Sequence, residues 1–181
     1  MPDSIYLDHA ATTPLRPEAR DAMFAVLEGR WGNPSSIHRW GRDARAALDD
    51  ARARLAAVIG ASPAEVVFTR GGTEADNLAL WGRARPAPGA PLACSAIEHS
   101  AVLNALRAAG EAGHPIHLIP VDGNGLANLD SLHHLLTADE KPAIVSVMWA
   151  NNEVGALQPV DEIGEMCREA GVIFYSDAVQ A

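Results

Sequence analysis

From Gly60 to its end the chain alternates short apolar runs with amphipathic stretches at helical spacing, and no other feature narrows its possible folds as much. Strands are expected at 66–69, 92–96, 116–119, 143–148 and 172–175, with helices between them at 74–83, 101–112, 129–136 and 161–170. Strands separated by helices cannot pair as hairpins, so the expectation is an α/β fold: a mostly parallel sheet with helices on both faces. The stiff Pro86-Ala87-Pro88-Gly89-Ala90-Pro91 run is a surface connector rather than a domain linker, because the alternation resumes directly after it.

Ahead of that region the pattern is helical. Residues 5–14 read as an extended arm ending in a turn, and 16–27 has the spacing of a helix, with Pro17 tolerated in its first turn and Gly29 stopping it. After the loop Gly32-Asn33-Pro34-Ser35-Ser36, residues 38–59 form a long amphipathic helix ended by Gly60, with Arg45/Asp49 and Asp50/Arg54 paired four residues apart on its polar side. The net charge of −9 argues against a broad nucleic-acid surface, and no apolar stretch approaches membrane-spanning length. The first residues lack the basic start and apolar run of a signal peptide, so a cytoplasmic location is expected. Cys94 and Cys167 lack metal or disulfide spacing and read as core thiols, and no histidine group has the spacing of a metal site.

In a parallel sheet, the segments that follow the strands gather at one edge, where ligands bind. Four of them carry chemistry. Gly71-Gly72-Thr73 opens a helix, and its bare backbone N–H groups with one hydroxyl suit a phosphate. An ordinary N-cap, Thr73 with Asp76 three residues on, explains the same loop. His99 follows the next strand and offers a flat imidazole for stacking, or a helix cap. Asn151-Asn152 follows another and offers an amide, or an Asn-rich turn. Asp177 ends the last, where a carboxylate can hold a positive ring nitrogen, and Gln180 adds an amide three residues later. Each has a bland explanation taken singly, whereas their convergence points to a cofactor site.

These motifs resemble, in order, those of the cysteine desulfurases, in the class V aminotransferase group of fold-type I enzymes that use pyridoxal 5'-phosphate. The resemblance rests on Tyr6-Leu7-Asp8-His9-Ala10-Ala11-Thr12-Thr13-Pro14, Gly32-Asn33-Pro34-Ser35-Ser36 and Gly71-Gly72-Thr73-Glu74-Ala75-Asp76-Asn77. It continues through Glu98-His99, Asn151-Asn152-Glu153-Val154-Gly155 and Asp177-Ala178-Val179-Gln180. It implies an N-terminal arm over 1–15 and, over 16–181, the first part of a large cofactor-binding domain whose remainder, with a small C-terminal domain, is absent. It further implies that Gly72 and Thr73 bind the phosphate and that His99 stacks on the ring as the catalytic histidine. Asn152 would then lie beside ring and substrate, Asp177 pair with the ring nitrogen, and Gln180 face the phenolic oxygen. Arg70 departs from the small hydroxyl residue usual before the glycines.

The reaction so implied converts L-cysteine to L-alanine and passes sulfur to an enzyme persulfide, for iron–sulfur clusters or thionucleosides. The implied partners are a sulfur-acceptor protein such as an iron–sulfur scaffold and a second copy of the chain in a homodimer. Lys141, the only lysine, precedes a strand at the edge opposite these motifs, and neither cysteine matches the persulfide position. The segment alone is therefore expected to be inactive, with 66–69 lacking its neighbouring strand. Another class V enzyme, such as an aminotransferase or selenocysteine lyase, and a non-catalytic subunit are the alternatives.

Overall fold

The computed structural model describes residues 4–181, so the first three residues of the expected arm lie outside the described residues. The chain forms two compact units, one ending at Phe68 and the other beginning at Thr69.

In the first unit, α1 (Pro17–Gly29) starts on its proline and, among the described residues, buries no side chain. The longer α2 (Arg39–Ile59) is capped by His38, whose Nδ1 accepts the Gly41 N–H at 3.2 Å, and it stops at Gly60 in the left-handed conformation, φ 69°. Both predicted ion pairs form, Arg45–Asp49 at 2.9 Å and Arg54–Asp50 at 3.0 Å. Gly41 has no room for a side chain, since a Cβ there would clash with the Ser36 carbonyl oxygen. The Gly32–Ser36 loop thus folds directly onto the start of α2.

Residues 66–69 were expected as a strand and are not one. A single 3₁₀ turn, Pro63–Glu65, precedes them, and they run on without joining a ladder among the described residues. A ladder needs a neighbour, and none reaches them. Val67 and Phe68 remain exposed at 65% and 45%, and the Arg52 guanidinium lies over the Phe68 ring at 5.2 Å.

The second unit holds the predicted alternation. Its elements are α3 (Gly72–Ala84), β1 (Leu92–Ser95), α4 (Ser100–Glu111), β2 (Ile116–Ile119), α5 (Leu129–Thr137), β3 (Ile144–Ser146), α6 (Val160–Ala170) and β4 (Ile173–Tyr175). The four strands make one parallel sheet in the order β2-β1-β3-β4. Alternate side chains separate its faces. Leu92, Cys94 and Ile144 pack with Leu80, Val102 and Leu106 of α3 and α4, whereas Ala93 and Val145 pack with Leu132, Ile163 and Cys167 of α5 and α6. The sheet is therefore covered on both sides, as the continuous apolar runs required, and both cysteines are fully buried. Desolvation pushes their thiols up, to about 12 for Cys94, where Glu98 adds to the effect, and to about 11 for Cys167. No helix among the described residues is long and apolar enough to cross a membrane.

The strand order places the switch in winding direction between β1 and β3: the chain leaves β1 outward to β2, then returns to the other side of β1 as β3. A crevice opens at such a point, beyond the carboxyl ends of the strands.

Candidate active site

All strands being parallel, the segments after β1, β3 and β4 emerge at the same edge, and the buried acid Glu98 ties the first two together. Its carboxylate accepts from the hydroxyls of Ser95 (2.6 Å) and Ser146 (3.0 Å) and from the Met148 N–H (2.7 Å). Burial pushes this carboxyl up, and the three donors pull it back toward the anion. The consequence is a fixed start for α4, and with it a fixed His99.

His99 caps α4, its Nδ1 accepting the Ala101 N–H at 3.1 Å. In the neutral ring this leaves the hydrogen on Nε2. The imidazole is exposed at the edge and within reach of two buried acids: one potential ligand atom from each of Asp76, His99 and Asp177 lies within 4.8 Å of the others.

Asp177 follows β4 and is 8% exposed. Its backbone is set by β3, since the Trp149 N–H donates to the Asp177 carbonyl at 2.9 Å, and its side chain is set by the Val179 N–H, which donates to Oδ1 at 3.0 Å. The chain then passes close to the glycine loop. A Cβ on Gly72 would stand 3.1 Å from Val179 Cγ2, tighter than ordinary packing. The first turn of α3 and the Asp177 segment are thus in contact.

At that first turn, Gly71 rather than Thr73 is the N-cap. The N–H groups from Gly71 to Glu74 have no acceptor within the helix, because the first intrahelical bond runs from the Ala75 N–H to the Gly71 carbonyl. Thr73 is exposed and lines an open hollow of about 1110 Å³ with Arg70, Gly72, Asn77 and Arg85. The Arg70 N–H is held by the Glu74 carboxylate at 2.7 Å, and the residue is among those lining the hollow.

The two asparagines divide their duties. Asn151, buried, shapes the turn: Oδ1 accepts the Glu153 and Val154 N–H groups, each at 2.9 Å, and Nδ2 donates to the Ile97 carbonyl at 3.0 Å. Asn152 is half-buried and donates to Glu153 at 2.8 Å, while Gln180 is exposed. Lys141 lies at the start of β3, the far edge of the sheet, and donates to the Ala170 carbonyl at 3.1 Å.

Residue-type reasoning missed Asp76. It is 1% exposed on α3, and its Oδ1 accepts the Tyr175 hydroxyl at 2.5 Å. The available signal was its phase: it lies four residues ahead of the core residue Leu80, on the inward side of the helix.

A buried acid, a flat ring beside it and a helix start with unsatisfied donors make a donor set for a planar, nitrogen-containing anion. Pyridoxal phosphate has those properties, and the residues present fit it.

The chain is similar to known proteins in both sequence and structure. The family model for aminotransferase class-V matches residues 5–181. The putative cysteine desulfurase IscS 1 of Bacillus subtilis (strain 168) is 45% identical over 181 residues, which are 99% of this chain and 47% of the relative. The cysteine desulfurase IscS of Dictyoglomus turgidum is 41% identical, over 99% of this chain and 46% of its own length. Among solved structures, a NifS-like protein matches with a TM-score of 0.92 at 32% identity, over 98% of this chain and 49% of that one. SspA in complex with cysteine matches with a TM-score of 0.90 at 30% identity, over 98% and 51%. The chain spans about half the length of the curated relatives it matches.

Proposed function

The chain belongs to the class V aminotransferase family, and from that premise we propose that it is the cofactor-binding part of a pyridoxal 5'-phosphate-dependent cysteine desulfurase. On this reading L-cysteine is converted to L-alanine, and its sulfur passes to an enzyme persulfide. The observation that carries the reading is the meeting of Asp76, His99 and Asp177 within 4.8 Å at the strand ends, beside the first turn of α3.

Each residue then has a definite task. Asp177, oriented by the Val179 N–H, would hold the protonated ring nitrogen, and His99, fixed by its cap to Ala101, would stack on the ring. Gly72 and Thr73 would hold the phosphate at the helix start, where donors without helical acceptors and the helix dipole both favour an anion. Asn152 and Gln180 would offer amides to the substrate and to the ring's oxygen. When bound, the cofactor supplies an electron sink for bond cleavage at the amino acid. Lys141 is not assigned the Schiff-base amine, since it serves the opposite edge.

The domain reading, an arm over 1–15 and the first part of the large domain over 16–181, belongs to the same proposal. So do a homodimer, a sulfur-acceptor protein such as an iron–sulfur scaffold, and a cytoplasmic location. What supports them is the likeness to relatives named IscS. Titration with pyridoxal phosphate tests the site: saturable binding that Asp177→Asn and Thr73→Ala each weaken is expected, and binding indifferent to both overturns the assignment. Alanine and persulfide sulfur released from cysteine, by the protein at the length its cell makes it, test the reaction. A preference for selenocysteine or for a keto-acid acceptor identifies another member of the family.

A further inference from the structure

Asp76 is the charged residue in this site that neither fold nor cofactor accounts for; the neighbouring Ser176 Oγ is also buried without a hydrogen-bond partner. Oδ1 is satisfied by Tyr175, yet Oδ2 is buried without a hydrogen-bond partner. An ionised carboxylate with one oxygen stripped of water and given no donor is strongly disfavoured. Asp177 is close by, and two carboxylates at such a distance do not both ionise readily.

The groups facing Asp76 are Tyr175 from β4, Asp177 from the segment after it and His99 from the cap of α4. Glu98 acts in turn on Tyr175, and Asp177 acts on Glu98. Burial pushes the Asp76 carboxyl up; the Tyr175 hydrogen bond opposes it by more than Asp177 adds to the rise, and His99 exerts the smallest downward pull. A cation shared by Asp76, His99 and Asp177 would also neutralise the cluster, but the His99 tautomer argues against it. With Nδ1 accepting from Ala101, Nε2 carries the hydrogen and has no lone pair to give.

We propose that Asp76 is a positioning residue for the ring-nitrogen site: it keeps its proton, on Oδ2, and so adds no second negative charge beside Asp177 at the end of β4. A cofactor nitrogen then meets a single defined anion, and Tyr175 holds the neutral acid in place by donating to its carbonyl oxygen, Oδ1. The significance for cofactor binding rests on the function proposed above; the proton on Asp76 does not.

Infrared difference spectra of the cofactor-free protein at neutral pH, at the length its cell makes it, read that proton directly. Wild type minus Asp76→Asn is expected to show a carboxylic-acid carbonyl band that moves in deuterium oxide, and its absence overturns the proposal. Tyr175→Phe leaves Asp76 in place and removes one hydrogen bond to its carbonyl, so the band should rise in frequency; an unmoved band also overturns the proposal. In pyridoxal phosphate titrations, Asp76→Asn is expected to stay within about threefold of wild type, while Asp177→Asn weakens binding about tenfold or more. If Asp76→Asn weakens binding as much as Asp177→Asn, the proposal fails. If wild type itself binds no pyridoxal phosphate, the function is wrong and the infrared band still decides the protonation.

Discussion

The hydroxyl of Tyr175 on β4 donates to Oδ1 of Asp76 on α3 at 2.5 Å, joining residues 99 positions apart. This bond connects the sheet to the helix that opens at the glycine loop.

Asp76 should leave a signature in stability against pH. Its carboxyl is raised above the ordinary 3.8, so its contribution is complete below that value and is lost as pH climbs through the folded-state value. Asp76→Asn cannot ionise. Its stability relative to wild type is expected to improve as the pH rises above the ordinary value of 3.8, as read by urea denaturation at a series of pH values. Glu98, raised in the same direction, is common to both proteins and cancels. A pH-independent gap would mean that Asp76 titrates as it does in the open chain.

Glu98 holds the switch point shut through three donors. Glu98→Ala strands the Ser95 and Ser146 hydroxyls and the Met148 N–H in the interior, at a cost of about 3 kcal/mol or more in unfolding free energy. Glu98→Gln keeps part of the clasp and should fall between the two. Equal stability of all three proteins would remove the clasp from the account.

Gly72 and Val179 are close enough to couple. Gly72→Ala places a methyl 3.1 Å from Val179 Cγ2, so it should weaken phosphate-dependent cofactor binding, and Val179→Ala should restore most of the loss. Binding constants for the two single variants and the double variant form the cycle. Additive losses would show that the contact does not shape the loop.

The thiols should be silent. With Cys94 at about 12 and Cys167 at about 11, both buried, neither is expected to react with a disulfide reagent in the folded protein near neutral pH. Both react once denaturant exposes them. Fast labelling of either one in the native state would contradict the packing described for it.

The inner strands of the sheet were legible because a strand covered on both faces must be apolar throughout, which marks 92–96 and 143–148 against their amphipathic neighbours. The stretch 66–69 carries the same mark yet forms no strand. Composition reports how a segment can be buried, whereas a ladder depends on a partner. At the site, Asp177 and His99 were legible by position after their strands, and the glycine loop by its lack of side chains. The clasp of Glu98 was not, because two of its three donors come from residues 48 and 50 positions away. Asp76 was hidden for a related reason: it stands where a helix shows its core side, and only the fold places Tyr175 against it.

The long spans of these bonds also set an order of events during synthesis. While a ribosome is still translating, the glycine loop and His99 are made well before Tyr175 and Asp177, and a half-finished strand cannot complete the cluster. On the proposed function, the cofactor would therefore find no finished berth on the growing polypeptide until β4 has docked.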